Sequence, residues 1–208
     1  GGSKMSKKFL LFYFLSITFL FSCTTGFKMI ADKSNIKGHS LAVIAGLKND
    51  ETTLYAELLT TKLQKESNFN VLSQDQIKKQ LNIYPLAIKG PYSKFSVEEI
   101  LEDYNNTDIE KIKEIQQKLN VDNIIVIWAP IHLVYKQKGA TSDLYEIHAI
   151  NQFFSFPGAK EVGRGKIKTM YATGLVIGAK VPRNMNTAIQ NGTDVLAKNI
   201  IEETGMAK

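Results

Sequence analysis

Two histidines and a glutamate in the second half of the chain are the side chains most suited to metal chemistry. His132 lies in the β-rich run Val121–Lys136, and Glu146 and His148 lie in the β-rich run that follows it. If the two runs form a hairpin that turns at Gly139–Ala140, the imidazoles fall nearly opposite one another, with the carboxylate on the same face. Such a set could bind zinc. We favour the alternative of an exposed cross-strand pair, and predict no metal and no cofactor.

Cys23 is the only cysteine in the 208 residues, so neither an intramolecular disulfide nor a thiolate metal site is available. One interpretation is a small buried hydrophobe. Its context favours another, because Lys7 and Lys8 precede the apolar run Phe9–Phe21, and Ser22 follows that run. This order is typical of a secretory signal peptide, and the run is too short for a comfortable membrane span. Residues 1–4 are interpreted as a tag remnant or an upstream start.

The end of the apolar run resembles the lipobox of bacterial lipoproteins, with Leu20 at −3, Ser22 at −1 and Cys23 at +1. Phe21 at −2 departs from the smaller residue usual there. The resemblance implies that Cys23 becomes the first mature residue and carries acyl chains, such as palmitate, that bind the lipid bilayer. An uncleaved anchor and a plain secreted chain are the alternatives. Thr24 replaces the aspartate that retains lipoproteins on the inner membrane, which favours the outer membrane of a two-membrane envelope.

Composition limits the classes of function. Removing residues 1–22 leaves 186, enough for one domain with a real core. Three lysines leave with the signal, so 26 − 3 = 23 basic residues face 20 acidic ones, a balance of +3 that does not predict nucleic-acid binding. The basic stretch Gly163–Lys168 is interpreted as a solvated strand face. Metalloprotease, nucleophile-elbow and phosphate-loop motifs do not occur in the sequence, so we predict no catalytic residue and no enzyme.

The first half predicts a parallel β-α-β start. Residues 24–39 are polar and read as a short irregular tether. Ser40–Leu47 is a continuous apolar run, as in a strand buried on both faces. A helix follows, with Leu54, Leu58, Leu59 and Leu63 on one face, and then the short strand Phe69–Ser73.

Three capping boxes predict helix starts: Ser73 with Gln76, Ser96 with Glu99, and Thr107 with Glu110. The third opens the clearest helix of the chain, whose stripe is Ile109, Ile112, Ile115 and Leu119. A C-terminal helix, interrupted by Gly192 and ended by Gly205, has Ile189, Thr193, Leu196 and Ile200 about one turn apart.

Between these helices, Val121–Lys136, Asp143–Phe156 and Glu161–Ile177 predict an antiparallel meander. The predicted class is α/β, at the border with α+β. We expect a single mixed sheet with helices packed on it, in one domain over residues 40–208.

Aromatic residues are the candidates for partner binding. Trp128, Phe153, Phe154 and Phe156 lie in strands, where a core position is expected more often than an interface. The loop Tyr84–Phe95, punctuated by Pro85, Gly90 and Pro91, either forms an exposed docking patch or folds back over the sheet edge. Our partner-binding candidates are Tyr84, Tyr92, Phe95, Tyr135 and Tyr145.

The series of strands and helices over roughly Leu41 to Thr204 resembles that of a group of envelope lipoproteins and related proteins. The group includes the curli secretion channel lipoprotein, the penicillin-binding-protein activator lipoprotein B and the amino-terminal domain of the TolB translocation protein. The segment Lys118–Ile131 carries the clearest likeness, and Ile147–Val162 a looser one. The resemblance implies this fold more than any role. The curli channel has long membrane hairpins where this chain has the short stretch "QKGATS", which argues against a channel.

The sequence therefore predicts a non-catalytic protein-binding or assembly module of the cell envelope, whose protein partner is unknown and which could pair with a second copy. One alternative is a subunit of a ring-shaped secretion or export assembly, which discrete rings in mass photometry would favour. A third hypothesis is a hydrolase with an unrecognised site.

Overall fold

The apolar run that begins at Ser40 forms a strand in the interior of a six-stranded mixed sheet. The structure is a computed structural model that describes residues 26–90, 92–136, 142–174 and 181–208. Its strands are β1 (Gly26–Met29), β2 (Ser40–Ala45), β3 (Asn70–Val71), β4 (Asn123–Lys136), β5 (Asp143–Ser155) and β6 (Lys160–Thr173). Its helices are α1 (Asp50–Glu66), α2 (Gln74–Gln80), α3 (Val97–Leu101), α4 (Ile109–Leu119) and α5 (Met185–Thr204), besides a 3₁₀ turn at Lys33–Asn35.

The strand order is β1-β6-β5-β4-β2-β3. β2 runs parallel to both β3 and β4, whereas β4–β5, β5–β6 and β1–β6 are antiparallel. The predicted mixed sheet, with its β-α-β start, meander and C-terminal helix, is therefore confirmed.

Hydrophobic cores fill both faces of the sheet. On one face, α1 and α5 cover side chains that include Leu41, Val43, Ile125, Ile127 and Phe153. On the other face, α2, α4 and the loop after α2 cover Ala42, Ile44, Ile124, Val126 and Trp128. The strands at the centre are thus apolar on both sides, which is why they read as continuous hydrophobic runs. The predicted core positions of Trp128 and of the three phenylalanines are confirmed.

Helix termini follow the predicted capping chemistry at two of the three boxes. Ser73 and Ser96 each cap a helix with a reciprocal side chain three residues later. The prediction for Thr107 is wrong by one residue: Asp108 caps α4, accepting a hydrogen bond from the amide of Lys111 at 3.0 Å. The Thr107 hydroxyl instead donates to the Gln152 side chain at 2.5 Å, a long-range contact that no local pattern shows.

Two helices differ in detail from their sequence patterns. The buried stripe of α1 is rotated, so that Tyr55 and Ala56 are fully buried while Leu54 and Leu58 are only partly buried. α5 runs unbroken through Gly192, and its other predicted core positions are buried. A Cβ at Gly192 would lie 2.4 Å from Thr169 Cγ2, so the glycine lets this helix approach β6 closely.

The predicted irregular tether over residues 24–39 is wrong in part, because Gly26–Met29 forms the edge strand β1 on β6. Phe27 is 3% exposed and lies over two strand glycines, directly opposite Gly165 and beside Gly163. A Cβ at Gly163 would be 2.3 Å from Phe27 Cζ, and one at Gly165 would be 2.5 Å from the Gly26 carbonyl oxygen. Gly163 leaves the space that the Phe27 ring fills, and Gly165 lets the backbone of β1 lie close to β6. The four residues of β1 thus join the sheet mainly through Phe27, and Met29 packs partly buried against the same core.

The signal peptide and Cys23 lie outside the described residues, as do the expected turn at Gly139–Ala140 and the end of the third predicted meander strand. Within the described ranges, no helix has the length and apolar character needed to cross a membrane.

Gly163→Ala tests the packing of the Phe27 ring against β6. Because the new methyl group would overlap the ring, we expect the free energy of unfolding to fall by about 1–3 kcal/mol and the amides of β1 to exchange faster. Gly26→Ala is the matched control, since nothing lies within 4 Å of its added Cβ, and it should change stability by less than about 0.5 kcal/mol. Urea unfolding and hydrogen exchange measure both effects. Equal stability of the two variants would contradict the role given to Phe27.

Candidate partner-binding surfaces

The two histidines lie on opposite faces of the sheet, so the expectation that they share a face is wrong. His132 pairs with Ile147, and His148 pairs with Ile131. The expected register, with His132 nearly opposite His148, is wrong by one residue. Because successive residues of a strand point to opposite faces, this offset places the two side chains on opposite faces of the sheet. Within the described ranges, no three His, Cys, Asp or Glu side chains are grouped so as to hold a metal ion.

His132 ties the start of α1 to the sheet. Its Nδ1 lies 2.9 Å from Glu51 Oε1, and its Nε2 lies 3.1 Å from the Tyr171 hydroxyl. The Tyr145 ring stacks on Tyr171 with centroids 4.6 Å apart. Tyr145, one of the partner-binding candidates, is therefore half-buried and packs within the protein.

On the other face, Glu146 lies between the side chains of His148 and Lys168. It contacts His148 Nε2, and its second oxygen lies 2.7 Å from Lys168 Nζ. Burial alone would raise the pKa of this carboxyl, but the hydrogen bonds from Lys168 and His148 outweigh burial and lower it. The Glu146 carboxylate is therefore paired within the protein with these two side chains.

The Tyr84 side chain covers part of the edge of β2. Its hydroxyl accepts a hydrogen bond from the Ala45 amide at 3.0 Å and donates to the Gln74 side chain at 2.6 Å. Gln74 in turn donates to the Val43 carbonyl at 2.8 Å. Burial raises the pKa of Tyr84 to about 12. The two side chains occupy strand-edge groups that another strand would otherwise use, so this edge is protected against pairing.

Most of the loop Tyr84–Phe95 folds back over the sheet, as in the second alternative given by the sequence. Leu86 and Ile88 are buried and bond through their amides to the carbonyls of Ala45 and Gly46. Lys89 is buried as well: its ammonium lies 2.9 Å from the Asp103 carbonyl oxygen and 4.7 Å from the centre of the Trp128 ring.

The far end of this loop carries the other two aromatic candidates. Burial raises the pKa of Tyr92, whose ring packs edge-on against Phe95 at 6.2 Å. Phe95 keeps 42% of its surface exposed. Of the three candidates in the loop, only Phe95 is available to a large partner.

A groove beside this loop contains the most exposed large hydrophobic residue described, Ile83, at 66%. We call it the Ile83 groove. Its volume is about 370 Å³, its apolar lining includes Leu81, Leu86 and Ile115, and it lies between the end of α2 and α4. A second depression of about 320 Å³ adjoins it, because Ile83 and Lys48 line both.

The rim of the Ile83 groove is basic. Lys48, Lys111 and Lys118 line it, against one acidic residue, Glu114. An apolar floor with a cationic rim is complementary to an acidic segment that carries an apolar side chain. Sequence reasoning missed this surface, since the lysines come from two distant segments and Ile83 directly precedes the loop that was singled out.

The end of the β4–β5 hairpin is the second exposed apolar surface. We define the hairpin end as Val134, Tyr135 and Lys136 of β4 together with Asp143 and Leu144 of β5. Val134 and Tyr135 are 47% and 45% exposed and point to opposite faces of the sheet. Tyr135 is thus the second of the five aromatic candidates with a largely free ring.

No family model matches the sequence, and no curated protein matches it. The particular lipoprotein group named above therefore stays a prediction. Solved structures with a similar backbone include lipoprotein GNA1162 from Neisseria meningitidis, at 13% identity and a TM-score of 0.47, covering 81% of this chain and 99% of that one. The PelC dodecamer from Paraburkholderia phytofirmans has 5% identity and a TM-score of 0.46, with 89% and 99% covered. The hypothetical protein CT253 from Chlamydia trachomatis has 8% identity and a TM-score of 0.41, with 80% and 96% covered. These values are too low to carry an argument about function.

Proposed function

We propose that this chain is a lipid-anchored protein of the bacterial cell envelope, bound to the outer membrane, whose folded body is a non-catalytic module that binds a protein partner. The observation that carries the proposal is the lipobox-like sequence ending at Cys23, only three residues before β1 begins. Two or more acyl chains on one residue hold a protein durably, at about 0.8 kcal/mol per buried CH₂.

The Ile83 groove is the surface we assign to the partner. It combines an exposed aliphatic side chain, two adjoining depressions and three lysines. The neighbouring β2 edge is sealed by Tyr84 and Gln74, so recognition there by added strands is disfavoured. We therefore assign the groove to an acidic segment of an envelope protein that inserts an apolar side chain beside Ile83.

Labelled palmitate tests the anchor. We expect cells to incorporate the label into the wild-type chain and not into Cys23→Ala, because the thiol is the attachment point. Ser22→Ala is the matched control: it keeps a small residue before the cysteine and should stay labelled. Equal labelling of wild type and Cys23→Ala would remove the basis of the proposal.

A photo-crosslinking residue at position 83 tests the groove in intact cells. We expect a product whose partner peptide is acidic, and whose yield falls at least about fivefold when Lys111→Glu and Lys118→Glu are combined, since reversed charges repel that peptide. Lys198→Glu, on the exposed side of α5, should leave the yield unchanged. A crosslinker at Val195, also on α5, should give no such product.

Thermal unfolding of each variant separates loss of binding from loss of folding. The assignment of the groove would be overturned if the product formed equally from positions 83 and 195, or if its yield did not change on charge reversal.

A further inference from the structure

The direction of β1 fixes the side from which the anchored segment enters the fold. β1 is antiparallel to β6, with Gly26 opposite Lys166 and Met29 opposite Gly163. Residues that precede Gly26 therefore approach from the side where β6 continues towards Thr173. The hairpin end lies on that same side, since Asp143 of β5 pairs with Thr173 and with Lys136.

Chain length limits how far the lipid can be from the sheet. Cys23 is three residues from Gly26, and a chain spans at most about 3.6 Å per residue, so about 11 Å separates them at full stretch. From Lys166 to Thr173, β6 rises by seven residues, about 23 Å at roughly 3.3 Å each. The strands thus extend further in this direction than the lipidated cysteine can reach. Because the hairpin end extends further from Gly26 than Cys23 can, a bilayer that holds Cys23 at its surface also contacts the hairpin end.

The chemistry of the hairpin end suits a bilayer interface. Tyr135 joins an apolar ring to a polar hydroxyl, a combination enriched where membranes meet water, and Val134 adds an exposed aliphatic group. Lys136 and Asp143 face each other across the hairpin, so this pair adds little net charge.

We propose that the hairpin end rests in the bilayer interface, with Tyr135 as its main contact, and so fixes the orientation of the body relative to the membrane. The proposal rests on the lipid anchor at Cys23 proposed above. The acyl chains supply the affinity, and the hairpin end supplies a second point of contact that prevents free rotation. The Ile83 groove lies beside β2, four strands away from β1.

Tryptophan quenching by brominated lipid tests this contact. The full lipidated chain is reconstituted in phosphatidylcholine vesicles whose acyl chains carry bromine close to the glycerol. Tyr135→Trp places a reporter at the hairpin end, and Ile83→Trp is the matched control, at a side chain in the groove that is more exposed than Tyr135. Wild type, whose single tryptophan, Trp128, is fully buried, gives the background.

We expect the emission added by Tyr135→Trp to be quenched several-fold more than that added by Ile83→Trp. Vesicle flotation and intact mass report the anchor separately. A chain that is lipidated and floats, but whose Tyr135→Trp emission is unquenched, overturns the inference and leaves the anchor standing. A blue-shifted, unquenched emission from a particle of more than one copy also overturns it, by assigning the hairpin end to a second copy. A chain that neither carries lipid nor floats overturns the proposed anchor and this inference together.

Discussion

Phe27 lies over Gly163, where a side chain would displace its ring, and opposite Gly165, where a side chain would overlap the backbone of β1. Full burial of a phenylalanine stabilises by about 1.5–3 kcal/mol, enough to hold a four-residue strand on the sheet edge. Because β1 is held there, the fold begins three residues after Cys23 and leaves almost no tether. The packing of the Phe27 ring thereby limits the distance between the folded domain and any group attached to Cys23.

The sheet is covered unevenly, and the two candidate surfaces follow from this. At its centre, α1 and α5 cover one face while α2, α4 and the folded loop cover the other. The meander strands are thirteen or fourteen residues long, whereas β2 has only six, so β4 to β6 continue beyond most of this cover. Their exposed end carries Val134 and Tyr135. The Ile83 groove arises on the other side, where the chain leaves α2 and crosses towards α4.

Sequence periodicity was sufficient for the elements with strong patterns and failed where long-range contacts decide. The meander, the stripe of α4 and the end of α5 at Gly205 follow from period and capping alone. β1 was missed because the burial of its main apolar anchor, Phe27, depends on glycines about 140 residues later in the chain. Whether His132 and His148 share a face of the sheet depends on the strand register to within one residue, and a sequence pattern does not resolve the register that finely. The inward turn of Tyr84 likewise depends on unpaired groups of β2, which are visible only once the strand order is known.

The central claim is that the anchor holds the folded body directly against the bilayer, and neutron reflectometry of the lipidated chain on a supported membrane measures this distance. We predict no water layer thicker than about 11 Å between the lipid headgroups and the protein, since the connecting segment cannot span more. A ten-residue glycine-serine insertion between Thr25 and Gly26 should open a resolvable layer. A wider layer beneath the uninserted chain, or none that responds to the insertion, would contradict the claim.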